Sequence, residues 1–433
     1  MESLIFIVFL MRSSVDRVFD TLRIQAGGME MTAGAFLNVA VLGLAALMIL
    51  MRSRSIFARP GSAFPSLIWL PYLLVAGVSI AWSSDRASGI RAFLVLLTYA
   101  GFFVIPFLVR APARHSAHLL KAIIYSSIVP ATVGLLELVF FLDPSGRAKS
   151  TFIHPNVFAF YLMVVLGVIC FLLSSSTVQF TPTVRKLMVL YSALLVGLLI
   201  MTQTRAAWAG AFLIFVTYAI FVNRRYLFVF ALLPLLIFIP AVGDRLADLD
   251  RGTAYTGAME SKADAINSFA WRNLMWDSAF KDVADAPVFG KGLASFAPNS
   301  LKFFPLADAN QEYYRGGIGA HSAYVQAFYE TGVVGLFCYL MIYLSLFFHI
   351  LRHFKIDPRG SIILTSTIAA YMMANYSDNI FDYGSLNWYF WGFLGTVFAK
   401  WAQQRSESSI LSPRFVYRYD VSGLRAPGRG LYG

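Results

Sequence analysis

The stretch GIGAHSAYVQAFYETGVVGLF, Gly317 to Phe337, joins the one long polar segment of the chain to one of its most apolar runs. A lone histidine, His321, stands at the seam, and Gly316, Gly317 and Gly319 lead up to it. Outward from the seam, apolar runs recur that approach or exceed the roughly 20 residues needed to cross a bilayer as a helix. The chain has 433 residues, of which 58% are hydrophobic and only 13% charged. A soluble domain carries about 25% charged residues. The composition therefore predicts an all-α polytopic membrane protein.

Twelve crossings are expected, or eleven if the first run does not cross. Met1–Met11 reads as a partial first helix, because Leu4–Met11 is too short to span alone. The same run lacks a small-residue cleavage site, so no cleavable signal peptide is expected. The next spans are read at Met31–Met51, Phe64–Trp82, Gly89–Val109, Ala117–Leu142, Pro155–Leu173, Leu187–Met201, Ala206–Val222 and Tyr226–Val242. A polar segment, Gly243–Ala320, follows. Spans at Ser322–Leu351, Ser361–Tyr376 and Ser385–Lys400 complete the set. The domain reading is 1–242 and 321–401 for the membrane helices, 243–320 for one large loop, and 402–433 for a flexible polar tail. Cys170 and Cys338 both fall in apolar runs, with no disulfide framework and no metal-ligand spacing.

The formal net charge is +12. In a polytopic chain Lys and Arg gather in cytoplasmic loops, so this charge does not imply nucleic acid. Arg52, Arg54, Arg110, Arg114, Arg185, Lys186, Arg224, Arg225, Arg352, Lys355 and Arg359 fall in short loops on one side. Those loops are then cytoplasmic, and the long loop, the His154 hairpin and the Arg205 turn share the outer face.

Five features on that face invite chemistry, and each also has a plain structural reading. Arg205, in MTQTRAAWAG, is either a snorkelling arginine or an anion clamp, since a guanidinium binds phosphate oxygens bidentately. Arg272 opens a predicted amphipathic helix, about Ala270–Ala284, whose charges are either solvated or used. Phe289-Gly-Lys-Gly292 is weak as a phosphate loop, having neither a preceding strand nor full spacing. His321 is either idle at the interface or a general base, a role that suits imidazole at neutral pH. Tyr324, one turn on, could share its site. Asn156, in Ser150-Thr-Phe-Ile-His-Pro-Asn156, is either part of a helix start or a sugar contact. Asp248-Leu-Asp250 reads as solvated loop, and Asp378 and Asp382 flank the last outer turn.

Taken in order, F-x-H-P-N (Phe152 to Asn156), Thr204-Arg205, the W-R to F loop (Trp271 to Phe296) and H-S-A-Y…E-T-G-V-V-G-L resemble the O-antigen ligase/polymerase superfamily of bacterial membrane glycosyltransferases. The resemblance covers roughly Ser150–Leu351. The overall layout is similar to exopolysaccharide polymerases of the succinoglycan type. Two departures stand out: the first helix is stunted, and Ser322 occupies a position where members commonly carry Asn.

The resemblance implies a GT-C-like fold with one large periplasmic loop in the bacterial inner membrane. It implies transfer of a glycan from an undecaprenyl-diphosphate-linked oligosaccharide to a sugar hydroxyl, on the periplasmic side. It further implies Arg205 and Arg272 as the cations that receive the departing diphosphate and His321 as the base. Asn156, Tyr324 and Arg91 become candidate substrate contacts. No metal or cofactor is expected. Membrane lipids, a flippase and a chain-length regulator are the implied partners. A repeat-unit polymerase is the leading reading, and a ligase acting on lipid A–core is the alternative. A lipid-linked sugar flippase is less favoured, because transporters show internal repeats and charges deep in several helices.

Overall fold

The computed structural model describes residues 2–26, 29–58, 67–109, 112–140, 146–176, 178–238, 242–243, 268–304 and 316–411. Asp248-Leu-Asp250 and most of the segment 243–267 lie outside the described residues. Within them the chain is almost wholly helical; its one sheet is a short antiparallel pair, Arg23–Ala26 with Met29–Thr32, in the register Arg23↔Thr32.

In chain order the helices are α1 (Glu2–Arg12), α2 (Asp16–Thr21), α3 (Ala33–Ala58), α4 (Leu70–Ser79), α5 (Arg86–Leu108), α6 (Pro112–Ser126) and α7 (Ile128–Val139). They continue with α8 (Pro155–Ser174), α9 (Pro182–Met201), α10 (Arg205–Phe221), α11 (Ser268–Asp282), α12 (Phe296–Phe303), α13 (Ala323–His353), α14 (Pro358–Ser377) and α15 (Gly384–Leu411). A 3-10 helix, Arg224–Phe238, stands where the ninth span is expected. At about 2 Å rise per residue its fifteen residues reach roughly 30 Å, a length that an α-helix of fifteen residues would not attain.

Among the described residues, six helical stretches are long and apolar enough to cross a membrane: Ala33–Met51, Arg86–Leu108, His115–Val139, Pro155–Ser174, Pro182–Met201 and Ala323–His353. Leu70–Trp82 and Arg205–Phe221 are apolar but shorter. α14 and α15 have the length yet carry buried Ser361, Thr367, Asn375 and Asn387, which lowers their hydropathy. α1 has eleven residues, about 16 Å, roughly half the hydrocarbon thickness. The fifth expected span is two helices, α6 and α7, parted at Ser127. α15 runs on to Leu411, past the boundary read at 401; Gln403 and Glu407 bond one turn apart at 2.8 Å.

α8 is the pillar of the bundle. Every residue from Val157 to Ser174 is buried, as expected of a helix that is apolar all round. α9, α10, α14 and α15 pack around it. Lipid supplies no hydrophobic drive between helices, so close van der Waals fit holds them. At Gly167 a methyl group would come within 2.7 Å of Thr367 on α14, which only glycine avoids. α8 and α14 each have twenty residues and so run about 30 Å between the two ends of the bundle. Asn156 and Asp378 stand at one end with His321; Ser175, Arg185 and Asp357 stand at the other.

Candidate functional site

The loop segment 287–292 is stitched into α13. This helix looks continuous in sequence, yet Gly332 interrupts it with φ 66° and ψ −168°. The groups freed by the break bond to the Pro287–Gly292 segment. Val333 N–H donates to Pro287 O at 2.9 Å, and Val334 N–H to Val288 O at 3.3 Å. Before the break, Lys291 N–H donates to Tyr329 O at 2.9 Å and Gly292 N–H to Glu330 O at 2.8 Å. Backbone lies on backbone here. A Cβ at Gly290 would sit 2.5 Å from the Glu330 carbonyl carbon, and one at Gly292 would strike the Ser83 main chain. The end of α4 fastens the other side. Trp82 Nε1 donates to Gly290 O at 3.2 Å, and Ser83 Oγ to Leu293 O at 2.8 Å. The glycines of Phe289–Gly292 therefore serve main-chain docking.

This docking fixes where α13 begins, and hence where His321 stands. His321 has φ 49°, in the left-handed region. Trp276 Nε1 donates to Ala320 O at 2.7 Å on one side of it. On the other, Ser322 N–H donates to Asn379 Oδ1 at 3.1 Å. Ser322 Oγ accepts from Val325 N–H and caps α13, so this buried serine has a structural task. The Trp271 ring meets the imidazole edge-on, with centroids 5.7 Å apart.

The imidazole Nδ1 lies 3.6 Å from Asp378 Oδ1. Asp378 is buried at the end of α14. Its Oδ1 accepts from Asn379 N–H at 2.9 Å, and its Oδ2 accepts from Asn156 Nδ2 at 2.8 Å. Asn156 Oδ1 in turn accepts from Arg147 Nη2 at 3.0 Å and Thr204 Oγ1 at 3.2 Å. Arg147 Nε donates to Thr202 O at 2.9 Å. One chain of bonds thus runs from the hairpin at 147, through the α9–α10 turn and the start of α8, to the carboxylate facing His321.

Two arginines lie near this contact. Arg272, on α11, feels the attraction of Asp378 and the repulsion of Arg205, which opens α10. Burial, opposed by Asp378 and reinforced by Arg205, holds the Arg272 guanidinium below its ordinary value; arginine stays charged regardless. Burial pushes the Asp378 carboxyl up, but His321, Asn156 and Tyr383 outweigh it, and the net shift is downward. Asp382 lines a neighbouring cavity of about 200 Å³ with Glu330 and Gln326. Asp382 is exposed; desolvation by the protein atoms around its carboxyl, with the nearby Asp378 charge, pushes that carboxyl up to about 6.

Four non-glycine residues among those described have left-handed backbone: Ser150, Gln203, Ala294 and His321. All four flank this end of the bundle. Such conformations cost about 1–3 kcal/mol each and gather at functional sites.

The structure brings together His321, Arg205, Arg272 and Asn156 of the residues singled out from sequence. Tyr324 and Arg91 stand apart from the carboxylate. The Tyr324 hydroxyl donates to Met372 O at 2.9 Å, inside the bundle. Arg91 is exposed and donates to Ser88 Oγ at 3.1 Å, on a turn organised by Asp85. Sequence reasoning gave Asp378 only a passing mention and passed over Arg147, Asn379 and Tyr383. The recurrence of Asp and Asn between α14 and α15, at 378, 379 and 382, is the signal that could have drawn attention to that turn.

The fold and this polar end define a multi-pass helical membrane protein with a cation-rich site built around one histidine–carboxylate contact. Residues 190–340 match the family model described as O-antigen ligase, and this match supports the O-antigen ligase/polymerase superfamily. The match holds Arg205, Arg272 and His321 and ends before Asp378. No curated protein matches the chain. The match supports a function of the O-antigen ligase/polymerase type in general terms.

Proposed function

We propose that the protein polymerises polyprenyl-diphosphate-linked oligosaccharide repeat units on the periplasmic face of the inner membrane. The observation that carries this reading is His321 Nδ1 facing the buried Asp378 carboxylate at 3.6 Å, with Arg272 near enough to that carboxylate to be attracted by it and Arg205 near Arg272. Asp378 orients the ring through Nδ1 and leaves Nε2 to meet an acceptor sugar hydroxyl. The hydroxyl oxygen attacks the anomeric carbon of the donor as its proton passes to Nε2. The bond from that carbon to the diphosphate oxygen breaks, and the electron pair leaves with the lipid diphosphate. Arg205 and Arg272 meet the growing charge, a task for which pre-set donors are effective in a partly desolvated site. A single displacement inverts the anomeric configuration.

The test has two parts. In a strain lacking the protein, single repeat units on the lipid carrier support the polymerase. Long chains on the carrier beside bare lipid A–core would assign it as a ligase instead. Units left facing the cytoplasm would assign a flippase. With purified protein, a product that retains the donor's anomeric configuration would overturn the single displacement.

A further inference from the structure

At the end of the bundle opposite His321, a cavity of about 600 Å³ opens between the ends of α8, α9, α10 and α14. Arg185 and Arg359 line it. Arg185 Nη2 donates to Leu173 O at 2.6 Å and the guanidinium also hydrogen-bonds the Tyr218 hydroxyl; both steady it, and of its five N–H donors others remain for a ligand. Lys121, on α6, stands over the ring of Phe180, another lining residue, at 5.5 Å. One carboxylate, Asp357, borders the cavity, and it is committed elsewhere. It is fully buried, accepts from Ser175 Oγ, Ser176 N–H and Gly360 N–H, and lies near enough to Lys400 to attract it. Among the described residues, Arg185, Lys186 and Arg359 have no carboxylate at ion-pair distance. The cavity therefore presents excess positive charge.

A groove of about 470 Å³ continues from it, sharing Leu173, Arg185, Tyr218 and Asn223. Val189, Leu190 and Ala193 of α9 form its apolar side, with Lys186 at its mouth. Leu190 and Ala193 are exposed, on a helix that is mostly uncovered by protein. A basic, roomy cavity that runs into an apolar groove on the lipid side of a spanning helix fits a molecule with an anionic head and hydrocarbon tails. A free anion would have no use for the groove, and a zwitterionic lipid would have little use for the excess charge.

We propose that this is a binding site for an anionic phospholipid of the basic-side leaflet, its phosphate held by Arg185 and Arg359 and one chain laid along Val189, Leu190 and Ala193. The bound lipid would tie the ends of α8, α9, α10 and α14 together, about 30 Å from His321. The inference does not depend on the glycosyl-transfer reading.

The test uses the full chain, purified and stripped of lipid, with thermal melting followed during titration. The probes are short-chain phosphatidylglycerol, phosphatidylcholine of the same chain length, and inorganic phosphate. Phosphatidylglycerol is expected to raise the melting temperature saturably at concentrations where the other two do little. Arg185→Gln with Arg359→Gln should weaken its binding at least about tenfold, as the loss of charge-assisted bonds to phosphate requires. Ala193→Trp fills the groove without altering charge and should weaken it comparably. All three positions are exposed, so the fold should stand. Equal effects of the two lipids would overturn the proposal. So would wild-type binding by either variant. An equal effect of inorganic phosphate, undiminished by Ala193→Trp, would assign the cavity to a free anion and overturn it as well.

Discussion

Two glycine-rich stretches approach the same polar end of the bundle, Phe289–Gly292 and Gly316–His321, and what lies against each sets its role. Phe289–Gly292 is met by main chain, from Tyr329 and Glu330 on one side and Ser83 on the other. Its glycines are there because a side chain would not fit. Gly316–His321 also has one crowded glycine, Gly317, at φ 86° against the Ala297 main chain. It delivers a half-exposed imidazole to a buried carboxylate. A lysine between glycines had the look of an anion loop, but Lys291 turns to Asp285, with Nζ 2.8 Å from Oδ2. Glycine content beside a site thus says nothing about whether the stretch touches substrate.

If that contrast holds, changes in the first stretch should damage folding and changes around the second should damage turnover. The largest effect is expected for Gly292→Val, where a φ of 100° and the collision with Ser83 act together. A loss above about 3 kcal/mol should leave little folded protein in a detergent melting assay. A folded but inactive Gly292→Val would put this loop in the chemistry. Next comes His321→Ala, expected to slow glycan elongation by about 10²–10⁴-fold with an unchanged melting curve. Normal chain lengths in that variant would remove the base. Asp378→Asn should cost about 10–100-fold and alter the pH profile of kcat/KM, since the amide no longer sets the ring's tautomer. A loss with an unaltered profile would reduce Asp378 to packing. Arg205→Lys should lose roughly tenfold, because an ammonium cannot reproduce the bidentate fork; full activity would return Arg205 to a structural place.

The smallest effect concerns Asp382. Its folded pKa of about 6 lies above the ordinary 3.8. The folded state then binds more protons than the unfolded state between those values. The stability it contributes is present at low pH and is lost as pH rises through about 6. Asp382→Asn should flatten that decline in melting temperature, and an unchanged slope would count against the raised carboxyl.

Much of this was legible from one sequence. Apolar runs gave most helices within a few residues, six of them long and apolar enough to cross a membrane among the described residues, because a helix crossing lipid must satisfy its own backbone and so announces itself by length. Arg205 and His321 stood out because each is polar at the edge of an apolar run, and Arg272 because it opens an amphipathic helix within the polar segment. Asp378 did not, since its meaning comes from Asn156, 222 positions away, and from His321. The partner of Arg147 is likewise set by packing. The break at Gly332 was hidden because ETGVVGLF has the composition of an uninterrupted helix. What escaped the sequence was in each case a long-range polar or main-chain contact, and periodicity does not register those.

The interruption of α13 also bears on motion. Because Val333 and Val334 bond to Pro287 and Val288 on one side of Gly332, and Lys291 and Gly292 bond to Tyr329 and Glu330 on the other, the loop cannot swing away here without unravelling the helix that begins just after His321. These segments should open as one cooperative unit. In hydrogen exchange, the amides of Lys291, Gly292, Val333 and Val334 should lose protection together, and admission of a bulky glycan must rely on a door cut elsewhere in the wall.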